Sequence, residues 1–316
     1  MLPRSNWATH GQDLRRSACD PGFMEQRPVE ALPQALAGFL RAARARLRPD
    51  SVGLPAAARV AERRVPGLRR SEVAALAGVS VDYYTRMEQG KVRSASDAVI
   101  AGLADALQLD ETERTYLFDL LSRRDARIPR APKASRAKVR ATIRDLVRAI
   151  PDRAVYVRGV GMEVLDMNDL ARALLADFTR KTGNARSLAH WALLDPAART
   201  HYVDWDTVAA NVASTLRRHF LDHPEDARLQ TLIGELTAKS PEFRRGWADH
   251  RVFELSHGIK RLHHPVIGDI DLHFEVFPVS GSPGQQLVVY QSQPGSPAEE
   301  SLRILASWAA DNGTGR

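Results

Sequence analysis

The chain is 316 residues long, 44% hydrophobic and 26% charged, and carries 45 basic against 38 acidic side chains for a net charge of +7. That length accommodates two domains of ordinary size, each with its own core. No apolar run approaches the roughly 20 residues a membrane helix needs, and a lone Cys19 excludes an intramolecular disulfide, a thiolate zinc site and an iron-sulfur cluster.

The start MLPRSNWATHGQDLRR lacks the apolar stretch of a signal peptide, which predicts a cytoplasmic protein. Residues 1–29 show no period and mix proline, glycine and charge, the pattern of a disordered leader. Met24 immediately precedes the first helical pattern and is an alternative start of translation, in which case Cys19 is never made. An all-helical domain is then expected over 30–125, a linker over 126–138, a mixed domain over 139–310 and a tail over 311–316.

Between residues 31 and 95 there are 12 Lys and Arg against five acids, so this one stretch holds the whole basic excess, while 131–316 is nearly neutral with 24 against 22. A concentrated positive charge suits a polyanion better than it suits a generally sticky surface. The plain alternative is an arginine-rich solvated face. Within the stretch, Ala35 to Arg48 places Leu36, Phe39, Leu40, Ala43 and Leu47 at helical spacing beside Arg41, Arg44 and Arg48. Pro49 ends this helix, and a loop carrying Arg59, Arg63 and Arg64 leads onward.

Two short helices follow, Leu68 to Ala77 and Val81 to Gln89, broken at Gly78. A helix-turn-helix requires a small residue where its helices cross, a residue tolerant of positive φ in the turn, and apolar residues at fixed offsets. Ala74 fills the first slot, Gly78 the second, and Val73, Ala77, Val79, Tyr84 and Met87 the third. Ser80 stands where it caps the second helix, whose N-terminal part would enter the major groove. With Tyr84 and Met87 turned to the core, Val81, Asp82, Thr85 and Arg86 face DNA, and Tyr83 lies at the margin. Arg86 suits a bidentate contact to guanine and Val81 a thymine methyl; Asp82 either accepts from cytosine or orients Arg86. Arg70, Ser80, Gln89 and Lys91 fall where backbone phosphates pass.

Ser96 caps a further helix through Leu107, and Asp110 with Glu113 forms the capping box of a fifth. The run SRRDARIPRAPKASRAK reads as a linker. Beyond it, a short helix to Ile150, a hairpin of AVYVRG and MEVLDMN, helices near 169–180, 206–220, 226–238 and 242–250, strands near 251–262, 269–279 and 286–292 and a last helix from Pro297 predict an α+β domain with one antiparallel sheet. Trp191, Trp205, Phe220, Phe243, Trp247 and Phe274 either enclose an acyl chain or aromatic ring between helices and sheet, or simply pack the core. His250 with His264, or Arg251 with Lys260, would meet an anionic headgroup. His257, His263 and His264 invite a metal reading, but the adjacent pair would point to opposite faces of a strand. Asp204 and Asp206 read as helix caps, and no phosphate loop, nucleophile elbow or dinucleotide fingerprint is present, so no catalytic residue or cofactor is expected.

VGLP, RRVPGLRRSEVAALAGVSVDYYTRMEQGK, PEFRRGWADHRV and HHPVIGDIDL together resemble the MmyB-like branch of phage-repressor-type (XRE) transcription regulators, over about Leu36 to Leu305. The resemblance implies an all-α five-helix repressor-like DNA-binding domain and an α+β PAS-like domain that binds a small apolar ligand such as a fatty acid, usually in a bacterial homodimer. Three positions depart from the family pattern: a longer, less glycine-rich loop before RRVPGL, Ala95 in place of a proline, and Ser71 in place of an acid. The combined expectation is a dimer on a palindromic double-stranded operator, with recognition helices about 34 Å apart and operator affinity shifted by the ligand. A protein partner for the second domain is the alternative, and enzymatic activity is not expected.

Overall fold

The computed structural model describes residues 32–53, 67–92, 94–122, 138–252 and 256–311. The leader with Cys19 and Met24, the loop arginines Arg59, Arg63 and Arg64, residues 126–137 of the expected linker and residues 312–316 lie outside the described residues.

Helix α1 (Leu32–Arg46) buries Leu36, Phe39, Leu40 and Ala43 on one stripe. It stops before Arg48, which is extended at φ −94° and ψ 146° because Pro49 disfavours helical backbone in the residue ahead of it. Among the described residues, four more helices contribute to the first core: α2 (Arg70–Leu76), α3 (Val81–Glu88), α4 (Asp97–Ala106) and α5 (Glu111–Ser122). Ser96 Oγ accepts from the Val99 amide at 3.4 Å, and Asp110 with Glu113 makes the reciprocal capping pair. Their shared core holds Leu68, Val73, Leu103, Tyr116 and Leu117 together with the α1 stripe. Leu221 and Val252, from beyond the linker, are buried in that same core.

The second domain runs α6 (Ala141–Arg148), β1 (Ala154–Arg158), β2 (Val164–Met167), α7 (Asp169–Leu174), α8 (Leu188–Leu194), α9 (Pro196–His201), α10 (Trp205–Asp222), α11 (Ala227–Lys239), α12 (Pro241–Ala248), β3 (His257–His264), β4 (Gly268–Pro278), β5 (Gln286–Gln291) and α13 (Pro297–Asp311). The five strands form one antiparallel sheet in the order β2-β1-β5-β4-β3, a PAS-like α+β arrangement. Its inner face, with Tyr156, Leu272, Phe274 and Tyr290, packs under α7 to α12. On the outer face Val147 of α6 covers Val155 and Val157, which is why β1 is buried on both sides. Asn168 ties this corner together, its side chain bonded to the Val155 and Ala171 amides and to the Ile150 and Arg153 carbonyls.

Three elements differ from the sequence pattern. The helix expected to reach 180 ends at Leu174, and Asp177 caps a separate 3₁₀ turn. Helices α8 and α9 were not anticipated; each has seven residues or fewer, and their caps Ser187 and Asp195, with Pro196, divide the apolar run before a helical period can show. Strand β3 begins at His257 rather than 251.

Candidate nucleic-acid interface and ligand cavity

The α2–α3 turn follows the spacing argument. Ala74 is fully buried at the helix crossing, and Gly78 takes φ +67°, a conformation L side chains rarely adopt. Val79 packs half-buried against the core. Ser80 Oγ accepts from the Tyr83 amide at 3.1 Å, which starts α3. Tyr84 and Met87 are fully buried, whereas Val81, Asp82 and Arg86 are exposed and Thr85 is half-buried. One edge of α3 therefore anchors the helix and the other presents a mixed polar and apolar row to solvent. Gln89 and Lys91 are exposed just past its end.

One residue that sequence reasoning missed holds this helix in place. Glu88 is buried at the end of α3, accepts from Arg44 Nε of α1 at 2.6 Å, and accepts from Arg70 Nε of α2 at 2.7 Å. Burial by itself raises the Glu88 pKa, but the hydrogen bonds from Arg44 and Arg70 and the charge of Arg44 outweigh it and hold the carboxylate below its ordinary range. Arg70, expected on a phosphate, is thus tied to Glu88, with half of its side chain still exposed. A carboxylate that three helices share fixes the angle of α3 against α1 and α2. Its only sequence signal was an acid on the buried side of an otherwise apolar pair.

In the second domain a cavity of about 60 Å³ lies between the inner sheet face and α8 and α10. Apolar and phenolic walls come from Tyr156, Met162, Leu188, Tyr202, Val212, Phe274, Val288 and Tyr290, with Arg158 and Lys260 as the two cations. Arg158 donates to Gln286 Oε1 at 2.9 Å, and Lys260 Nζ lies 5.3 Å from the Phe274 ring centre. Burial, helped by the neighbouring Arg158, pushes the Lys260 ammonium down to about 8.

Of the aromatics expected at a pocket, only Phe274 lines this cavity. Trp191 packs against Phe178, His201 and Tyr202; Trp205 is buried and donates its indole N–H to the Ala192 carbonyl; Phe243 stacks on Trp247; and Phe220 is core. These side chains are large because they fill the space between helices and sheet. The proposed headgroup partners separate as well. His264 bonds to the Ala173 carbonyl, Arg251 is exposed, and His250 lies against α1, leaving Lys260 alone at the cavity. Asp204 precedes α10 but makes no capping bond, because its carboxylate pairs with Arg261. His263 points outward to Asp269 while His264 points inward, and no cluster of three metal-ligating side chains occurs among the described residues.

A helix-turn-helix with an exposed recognition edge, joined to a PAS-like module enclosing a small cavity, defines a DNA-binding protein with a sensory domain. The model of the MmyB-like transcription regulator ligand-binding domain matches residues 139–305, and a helix-turn-helix domain model matches residues 35–117. No curated protein matches the chain. The chain belongs to the MmyB-like transcription regulators, and its two domains are those of a ligand-responsive transcription regulator. No helix among the described residues is long and apolar enough to cross a membrane.

Proposed function

We propose that the protein is a non-enzymatic homodimeric regulator that reads a palindromic double-stranded operator and responds to a fatty-acid-like ligand. The observation that carries the DNA half is the division of α3, with Tyr84 and Met87 fully buried and Val81, Asp82 and Arg86 exposed on a helix locked by Glu88. Arg86 reads guanine, Val81 and Thr85 contact neighbouring base edges, and Asp82 sits beside them. Arg70, Ser80, Gln89 and Lys91 hold the register on phosphates. The cavity supports the ligand half: its walls are mainly apolar, and Arg158 and Lys260 suit a carboxylate. A chain-shaped ligand is larger than about 60 Å³, so its entry displaces a wall. The ligand then shifts operator affinity by its differential binding to two arrangements of the dimer.

Binding-site selection from random DNA, with the wild type and with Arg86→Ala, tests the reading. The wild type should yield a two-fold symmetric site, and Arg86→Ala should lose preference at one base per half-site, at about 1–3 kcal/mol. An unchanged preference would remove Arg86 from base reading, and a monomer on DNA would remove the symmetric model.

A further inference from the structure

Gly38 lies in the middle of α1, where glycine is a poor helix former and alanine the best. The reason for glycine here is another domain: a Cβ at position 38 would lie 2.0 Å from Cε1 and 2.3 Å from Nε2 of His250. His250 follows the end of α12 and is itself unusual, with φ +49°, the left-handed conformation that glycine ordinarily supplies after a helix. An α1 without a side chain therefore meets a histidine held in a glycine's backbone conformation. Around this contact, Leu221 and Val252 are buried in the DNA-binding core, and Arg218 pairs with Asp119 of α5 at 2.7 Å. Arg217, fully buried, bonds to the Trp247 carbonyl and lies 4.2 Å from that indole's centre.

From α10, Arg218 and Leu221 bear on the DNA-binding domain, about one and nearly two turns beyond Thr215 in the stretch of the same helix that walls the cavity with Val208, Asn211, Val212 and Thr215. From Val212 to Leu221 is about 14 Å of continuous helix. The recognition edge of α3 stays exposed in this docked arrangement, so docking does not mask the DNA surface.

We propose that a seam keyed by Gly38 and His250 locks the DNA-binding domain to the ligand domain, and that α10 is the lever through which a ligand entering the cavity loosens this seam. The seam holds the recognition helix at a fixed angle; loosening it makes operator binding bear the cost of reordering the two domains. The lever half rests on the cavity being the ligand site. The seam half does not.

The test measures an interdomain distance by double electron–electron resonance in the full chain, with spin labels at Ala101→Cys and Glu300→Cys in a Cys19→Ser background, diluted with excess unlabelled Cys19→Ser chain so that each dimer carries at most one labelled protomer. The wild type should give one narrow distance. Gly38→Ala should broaden it and weaken binding to the selected operator by about tenfold, within the usual range of coupling between sites. Gly38→Ala with His250→Gly, which gives the methyl its space and suits φ +49°, should restore the narrow distance and recover affinity to within about twofold. A narrow distance in Gly38→Ala, or no recovery in the double variant because the methyl merely unfolds α1, would overturn the seam. The lever is tested without any ligand by overfilling the cavity with Val212→Trp or, from α8, Ala192→Phe. Broadening in either supports it; a narrow distance in both, or loss of the fold in both, overturns it while leaving the seam result standing.

Discussion

Lys91, just past the recognition helix, is exposed and expected on a phosphate. Lys91→Ala should weaken binding to all sequences alike and lower the log-log salt slope by about 0.9. A change of sequence preference in that variant would instead make it a base reader. Glu88 is the opposite kind of residue, buried and bonded to two arginines. Glu88→Ala leaves Arg44 without its carboxylate in a poorly solvated site, and should cost about 3–5 kcal/mol of folding stability by denaturant titration. A loss under about 1 kcal/mol would mean that Arg44 finds water easily. The turn residues were legible in the sequence because each has a local reason: Ala74 for close approach, Gly78 for positive φ, and Ser80 for a cap. Glu88 and Gly38 were not, since the partners of Glu88 lie 18 and 44 positions away, that of Gly38 over 200, and no local spacing marks them.

At the level of elements, helices with a full apolar stripe could be read from the pattern, as α1, α4, α5 and α10 show, with caps marking α4 and α5 as well. Strands β4 and β5 could be read from alternation. Helices α8 and α9 are too short for a period, and the cavity was illegible because β1, β3, β4, β5, α8 and α10 each supply only a few of its walls. Bulk marks the tryptophans, whereas the cavity is lined by tyrosines, aliphatic side chains, Phe274 and two cations. Lys260, from β3, ties that site to pH. Its ammonium loses its proton near 8, so affinity for a carboxylate probe such as decanoate should be level below that pH and fall by up to about tenfold per unit above it. Titration calorimetry from neutral pH to about 9.5 measures this. A level affinity throughout would take Lys260 out of the headgroup role.

For the whole molecule, three imidazoles among the described residues are held uncharged, His201 buried and His219 and His250 half-buried: desolvation first, then neighbouring positive groups, lowers His201 to about 4 and His219 and His250 to about 3. Arg217 and Arg41 are the cations beside His250. Each folded pKa lies below the ordinary 6.5 of the unfolded chain, so the unfolded state takes up protons first as the medium acidifies. Their contribution is complete above pH 6.5 and is lost as pH falls from there toward 3–4, by at most about 1.4 kcal/mol per pH unit for each imidazole. Urea unfolding at neutral pH and near pH 5 should show a clear drop. Equal midpoints at the two pH values would mean that these rings are hydrated. Histidine composition alone could not reveal this, because burial is a property of the assembled fold.

Strand β1 pairs with the central strand β5, and Tyr156 meets Val288. About 130 residues separate them, so a ribosome working at about 5–20 residues per second leaves β1 without that neighbour for roughly 7–26 seconds. The N-terminal helices α1 to α5 have already emerged by then and need no later strand to pair. Every newly made molecule thus passes through an interval in which its DNA-reading end can be folded while its sensor is still open along the middle of the sheet.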